Sequence, residues 1–429
     1  MKTIRPLLLL LLAAVLAFPP GSSLAFPPLQ LYLALTPPGG VLRLQPGTYS
    51  GPATIDRPIT IEGGGEVVID GGGSGSVITV EADDVTLRGL RIIHSGRSYD
   101  HTDAAILLRG DGALIEDNVI EDTLFGINLH QVADSVIRNN RITSVQEEVA
   151  LRGEGLRMWY SSDNLVEGNR FVDVRDLLVI NSPDNRFSGN RIEGGRVAIE
   201  FVFSPGNLIE ENTITGSTTG IVGLYSDGLL IKDNRITHLR DTAGSAFTVK
   251  ESAQVRIKHN LVLHCAVGLT ANSPTNPANI LYLEDNRFVY NDIALYFYGD
   301  RGGHVIHGNR FEGNVTTIAV SASSSARDND WRGNYWDDYQ GFDLDGDGVG
   351  DTPHSIYLYA DRIWMDRPKT RFFRASPVLD VIDFMERLAP FSPPELILRD
   401  PAPLILRDSG DAASAAGRAD WRTPAGRPG

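Results

Sequence analysis

Three short stretches of this chain combine residue types that do chemistry. Asp343-Leu344-Asp345-Gly346-Asp347-Gly348-Val349-Gly350-Asp351 sets carboxylates at alternate positions with glycines between them. Hard oxygens converging in a tight loop suit Ca²⁺, so Asp343, Asp345, Asp347 and Asp351 are expected calcium ligands. The twelfth position is His354 instead of the Glu of an EF-hand. A metal-free turn, with the Asp side chains bonded to backbone amides, is the equal alternative. Tyr99-Asp100-His101-Thr102-Asp103 holds carboxylates and an imidazole, the groups needed for acid–base work on sugars. No paired carboxylate motif accompanies it, and a solvated acidic loop is the plainer reading. His238 and His264 lie four residues after Asn234 and Asn260. In a repeating structure they come to equivalent places and are expected to share a soft metal ion. Tyr290 stands at the same offset from Asn286, so the alternative there is an aromatic stack.

The elements that must position these groups follow from a repeat. Bulky apolar, two variable residues, Asn, one variable residue and bulky apolar recur ten times, with Asn118, Asn140, Asn169, Asn190, Asn212, Asn234, Asn260, Asn286, Asn309 and Asn334 at a mean spacing of 24 residues. An eleventh copy, Leu87 to Ile92, has Leu90 in the Asn place. Such a period, made of short β-prone runs and tight turns, is the signature of a solenoid. Stacked coils about 4.8 Å apart turn the Asn column into a ladder of side-chain amides. Ser161, Ser182, Ser204, Ser226 and Ser252, each eight residues before its Asn, predict a second column. Four longer coils must expel loops, at Ser95 to Asp103, Gln146 to Gly155, Arg240 to Ser245 and Ser273 to Asn279. Loops on a rigid scaffold are where recognition resides.

Composition narrows the classes. Of 429 residues 42% are hydrophobic, 44 are Gly and 24 are Pro, which is globular and β-rich. A net charge of −15 repels polyanions, so nucleic acid is excluded as a partner. Lys2 and Arg5, an apolar run and Ser23-Leu24-Ala25 form the layout of a secretory signal cut near Ala25, and imply export. The lone Cys265 allows no intrachain disulfide. No phosphate-binding Gly-x-x-x-x-Gly-Lys-Ser/Thr loop occurs, so ATP use belongs to another chain. The expected organisation is a signal peptide over 1–25, an all-β right-handed parallel β-helix over 26–340, an acidic loop and C-terminal capping and docking extension over 341–407, and a disordered tail over 408–429. Within the extension, Ser376 to Leu388 spaces Val378, Leu379, Val381, Ile382, Phe384, Met385 and Leu388 as a short amphipathic helix does.

Across roughly residues 37–407 the chain resembles the NosD family of periplasmic nitrous-oxide reductase maturation proteins. The residues that carry the resemblance are Leu156-Arg157-Met158-Trp159-Tyr160-Ser161, Asn272-Ser273-Pro274, Gly333 through Asn334-Tyr335-Trp336 and Asp338-Tyr339 into Asp343 to Asp351, and Asp400-Pro401-Ala402-Pro403-Leu404. Where members of the family repeat an aromatic-Tyr-Ser element, this chain has Ile180-Asn181-Ser182, Val202-Phe203-Ser204 and Leu224-Tyr225-Ser226. The resemblance implies a right-handed parallel β-helix and a non-catalytic periplasmic role beside an ABC transporter whose membrane and ATPase subunits are separate chains. The task it implies is building the copper–sulfur centre of nitrous-oxide reductase, with a copper chaperone and the reductase as clients. Copper is then the soft ion expected, transiently, at His238 and His264. Only Met158, Met365 and Met385 survive signal removal, too few for a Met-rich shuttle. The rival reading is an exported polysaccharide lyase, epimerase or hydrolase of the β-helix type, and the third is a passive surface-binding solenoid.

Overall fold

The computed structural model describes residues 26–321, 324, 326–358, 376–388 and 395–405. The predicted signal segment, the predicted tail and Met365 lie outside the described residues. The body is a parallel β-solenoid. One strand per coil enters a 12-stranded sheet and two shorter strands enter a 24-stranded layer. The coil from Asp176–Ile180 through Arg186–Ser188 to Arg191–Glu193 is representative. Each strand lies in register on the one before, with Met158 beneath Val179, Val166 beneath Phe187 and Phe171 beneath Ile192. The second residue after each ladder Asn points into the tube. Phe171, Ile192, Ile214, Ile236, Val262, Phe288 and Phe311 are all buried and form the core. Apolar residues alternating with polar ones in three-residue strands fix this register, because a slip by one would turn every core residue outward.

Three sharp bends shape each coil, and at each a residue takes the left-handed region. Phe203, Tyr225 and Glu251 occupy the first bend, Asp233, His259 and Asp285 the second, and His238, His264 and Tyr290 the third. In chain order each strand of the 12-stranded sheet starts after a third bend and ends at a first one. The expected Asn ladder runs unbroken from Asn118 to Asn334 inside the second bend. Each Nδ2 donates to the next coil's Oδ1 at 2.9–3.1 Å, and that oxygen also accepts the backbone N–H of the same donor residue. Leu90, in the Asn place of its coil, donates its backbone N–H to Asn118 Oδ1 at 3.0 Å and begins the ladder. The Ser column is also present: Ser161, Ser182, Ser204 and Ser226 each donate a backbone N–H to the next Ser Oγ at 2.8–3.0 Å. A further amide column went unread in the sequence. Asn164, Asn185 and Asn207, five residues before their ladder Asn, are buried and joined by Oδ1 contacts of 2.9 Å.

Both ends of the tube are covered. Helix α1, Leu29–Leu35, turns Leu29 and Leu33 onto the first coil, one helical turn apart and buried. The sequence reading placed no element there. At the other end the last parallel strand of the layer is Tyr335–Trp336. Strand His354–Leu358 pairs antiparallel with Glu395–Asp400, and Leu404 continues the stack by donating its N–H to Asn334 O at 2.9 Å. Open solenoid ends expose unpaired strand edges, which explains the demand for both covers. Helix α2, Pro377–Leu388, agrees with the periodicity seen in the sequence. Among the described residues no helix is long and apolar enough to cross a membrane.

Candidate functional site

All four predicted loops border the outer face of the 12-stranded sheet. The first three lie between a third bend and the strand that follows, and Ser273 to Asn279 leaves just after the strand Val267–Asn272. The first two loops pack on one another, since Tyr99 donates its hydroxyl to Leu151 O and meets Phe125 edge-on at 5.9 Å. This use of Tyr99 removes part of the sugar-chemistry motif. Asp103 is buried, and its Oδ2 accepts Ser98 N–H at 2.9 Å, so it ties the loop's own ends together. The acid–base reading of Tyr99 to Asp103 therefore loses its second carboxylate to a structural task.

His238 and His264 do come together. Their ring centroids are 5.4 Å apart with 43° between the planes, and both side chains are exposed at the third bend. Tyr290 continues the column, stacked on His264 at 5.5 Å and 16°. Both readings of the sequence thus describe the same object, an exposed column whose first two members are imidazoles. It ends at Gly313, where a Cβ would sit 2.4 Å from ring atoms of Tyr290. Arg240, two residues beyond His238, reaches Asp292 at 3.1 Å and braces the neighbouring loop. Holding an L-residue in the left-handed region costs about 1–2 kcal/mol, and Asn or Gly are the usual occupants. Left-handed residues recur at this bend along the tube, and Asn, Asp and His are the non-glycine types that most often take that region, so the backbone accommodates the imidazoles. Cys265 follows His264 directly, but its thiol lies inside the coil, where burial pushes its pKa up to about 11. Met158 is buried as well, so of the sulfur atoms in the described coils neither faces the imidazoles.

The acidic loop is folded as a run of side-chain-to-backbone turns. Asp343 accepts Gly346 and Gly348 N–H at 2.7 and 3.0 Å, Asp345 accepts Asp347 N–H at 3.2 Å and Asp347 accepts Val349 N–H at 2.8 Å. Among the described residues only Asp343, Asp345 and Asp347 form a group of three metal-type ligands within 4.8 Å of one another. Asp351 stands outside that group and accepts Leu344 N–H at 2.7 Å.

Sequence reasoning missed a charged network at the start of the same sheet. Asp176, fully buried, accepts Arg196 Nη2 at 2.5 Å, Arg175 Nε at 3.2 Å and Val197 N–H at 2.9 Å. Glu154 is buried beside it, with one oxygen on Arg175 and the other, Oε2, without a hydrogen-bond partner. Burial raises the pKa of Glu200, and Arg196 only partly offsets this. No repeat or motif marked these residues, because Glu154, Arg175 and Arg196 occupy one position of three successive coils but differ in residue type and charge.

Comparison with known proteins agrees with this architecture. The family described as "Periplasmic copper-binding protein (NosD)" matches residues 144–341, and the right-handed beta helix family matches residues 75–203. The "Probable ABC transporter binding protein NosD" of Pseudomonas aeruginosa is 30% identical over 85% of this chain and 86% of its own. The protein of the same name from Stutzerimonas stutzeri is 27% identical over 86% of this chain and 88% of its own. Among solved structures, the catalytic unit of a thermostable GH87 alpha-1,3-glucanase from Streptomyces thermodiastaticus superposes with a TM-score of 0.50 at 15% identity, covering 67% of this chain and 60% of that one, a likeness of fold alone. With 30% identity to the Pseudomonas protein over 85% of its length, this chain belongs to the NosD family.

Proposed function

We propose that the protein is a periplasmic, non-catalytic accessory factor that works with an ABC transporter in maturing the copper–sulfur centre of nitrous-oxide reductase, and that copper is its transient cargo. The observation that carries this reading is the exposed His238–His264 pair, held on adjacent coils with ring centroids 5.4 Å apart. Imidazole suits copper, and one ring nitrogen from each histidine leaves further positions on the ion for a donor or acceptor protein. The family's description as periplasmic copper-binding and the relatives' names as transporter binding proteins support the same reading. Exchange with a copper chaperone on one side and delivery towards the reductase on the other are the partnerships it implies. Helix α2 is the proposed contact with the transporter's membrane subunit, because Val378, Ile382 and Met385 on it are exposed.

The test is a Cu(I) titration against a competing chelator. The wild type is expected to bind and the His238→Asn, His264→Asn double variant to lose that binding without loss of fold, since Asn is at home at a left-handed bend. Equal binding by both proteins refutes the assignment of the site. For Asp343, Asp345, Asp347 and Asp351, a melting temperature that rises with added Ca²⁺ and stops rising in Asp345→Ala is the signature of a cation site. Indifference to Ca²⁺ is the signature of the turns alone.

A further inference from the structure

The first bend carries its own column of exposed rings. Tyr160, Phe203 and Tyr225 are 54%, 54% and 49% exposed, and all three have φ near +50°. Phe203 and Tyr225 stack at 5.1 Å and 15°, and Trp159 meets Tyr160 edge-on at 4.8 Å. In the coil between Tyr160 and Phe203, Asn181 fills the same place with φ +48°, so the bend itself needs no ring. The next residue in each coil, Ser161, Ser182, Ser204 or Ser226, is buried in the serine ladder. The aromatic-Ser element thus splits into two tasks: the serine holds the coils together, and the ring faces outward in a conformation that a bulky residue resists. Burial does not compensate for that resistance, because half of each ring is in water.

The same bend is acidic. Asp163 and Asp184, three residues past Tyr160 and Asn181, and Asp227, two past Tyr225, are all exposed. We propose that the ridge of Tyr160, Phe203 and Tyr225 with its fringe of Asp163, Asp184 and Asp227 is a docking surface for a partner protein whose contact face sets lysine or arginine around an apolar centre. Guanidinium and ammonium groups pack on ring edges and faces and pair with carboxylates at one contact, and aromatic residues are over-represented among the residues that dominate interfaces. A second copy of this chain is a poor occupant, because each copy carries a net charge of −15. A sugar chain is a poor one too, since the facing surfaces of Phe203 and Tyr225 are taken up by each other.

The experiment uses the full chain. Phe203→p-benzoylphenylalanine is produced in cells, irradiated, and the cross-linked peptide mapped by mass spectrometry; the protein so captured is then purified and its affinity for the wild type measured at low and high salt. The expected result is a protein adduct mapped beside a cluster of Lys or Arg, with affinity that falls as salt rises. The Phe203→Asn, Tyr225→Asn variant is expected to melt no lower than wild type, following Asn181, yet to bind about tenfold more weakly or worse. Asp163→Asn with Asp184→Asn and Asp227→Asn is expected to abolish the salt dependence. An adduct with a second copy, a glycan or an acidic surface overturns the proposal, as does the absence of any adduct. A melting temperature that drops in Phe203→Asn, Tyr225→Asn, with binding unchanged, overturns it as well, by showing the ridge to be structural. Copper binding at His238 and His264 is read separately, so failure here leaves that assignment intact, and the reverse also holds.

Discussion

The carboxylate of Asp400 ends the amide ladder that Asn334 carries. Asp400 Oδ2 accepts Asn334 Nδ2 at 3.0 Å and Asn334 N–H at 3.1 Å, the two bonds that the next Asn supplies in every earlier coil, and takes Trp336 Nε1 at 3.1 Å as well. Its other oxygen accepts Ala402 N–H at 3.0 Å and starts the Pro401 to Leu404 segment along the last coil. A ladder of amides always leaves one set of donors over at its end. Here a residue 66 positions away in sequence supplies the acceptor.

Replacing Asp400 by Leu should therefore strand three buried donors, at about 1–3 kcal/mol for each left unsatisfied. Asp400→Asn should cost much less, because its Oδ1 continues the ladder as another Asn would. Urea unfolding of the two variants separates these outcomes. Equal loss in both would mean that the charge, and not the acceptor, is what the cap needs.

Within the ladder, Asn212 donates to Asn234 Oδ1 and Phe187 O, at 3.0 and 2.9 Å, and accepts from Asn190. Asn212→Leu should destabilise the fold by on the order of 1–3 kcal/mol through these lost partners. Asn139→Gly, at the exposed edge of the same kind of bend and at a left-handed position that Gly accepts, should cost far less. Thermal unfolding monitored by circular dichroism tests the contrast.

These two sites also show what the sequence could and could not reveal. Asn118 to Asn334 and Ser161 to Ser252 are legible because a solenoid repeats a local environment, so one physical need recurs at a fixed offset. The column of Asn164, Asn185 and Asn207 had the same kind of signal, only shorter. Asp400 had none: it does its work once, and its partner is set by how the chain returns after the acidic loop. The Glu154, Arg175, Asp176 and Arg196 network is of that second kind, since its coil position recurs while the charge set there changes from one coil to the next. His238 and His264 fall between. Their offset placed them on adjacent coils, but only the structure gave the 5.4 Å between their rings and their exposure at the bend.

The closing segment should respond to acid. His354 is buried against Trp336 at 4.8 Å, and burial pushes its pKa below the ordinary 6.5, against the pull of Asp338 and Asp400. A histidine whose folded-state pKa is depressed contributes stability above its unfolded value, and this is lost as pH falls through the folded value. The wild type should thus melt lower at about pH 5.5 than at about pH 7.5, and His354→Phe should lose much of that difference. A variant as acid-sensitive as wild type would place the effect elsewhere.

Buried Cys265 gives a direct probe of the tube's integrity. With its pKa pushed up to about 11 by burial, the thiol should resist alkylation at neutral pH in the folded protein and react once the coils open. Its own contribution to stability is present below the unfolded value near 9 and is lost as pH rises towards 11. Rapid labelling of the native protein would show that the coil around Val262 and Ala266 opens locally.

The proposed contact with a transporter is best tested at the surface of α2 and not by removing the C-terminal extension. Deleting residues 376–429 would take away Asp400 and Leu404 together with the helix, and would uncap the ladder at Asn334. Any loss of partner binding would then be confounded with loss of fold. Val378, Ile382 and Met385 recur at helical spacing and are 68%, 44% and 57% exposed, so they line one accessible stripe. An apolar helix face of this kind fits a groove on another protein. Val378→Ser with Ile382→Ser and Met385→Ser should leave the unfolding free energy within about 1 kcal/mol of wild type, since exposed side chains contribute little to folding. The same variant should lose co-purification with the transporter's membrane subunit and, in cells, lower the amount of active nitrous-oxide reductase. Full retention of that association by a folded triple variant would move the contact to another surface of the coil, and retention of association without reductase activity would separate docking from delivery.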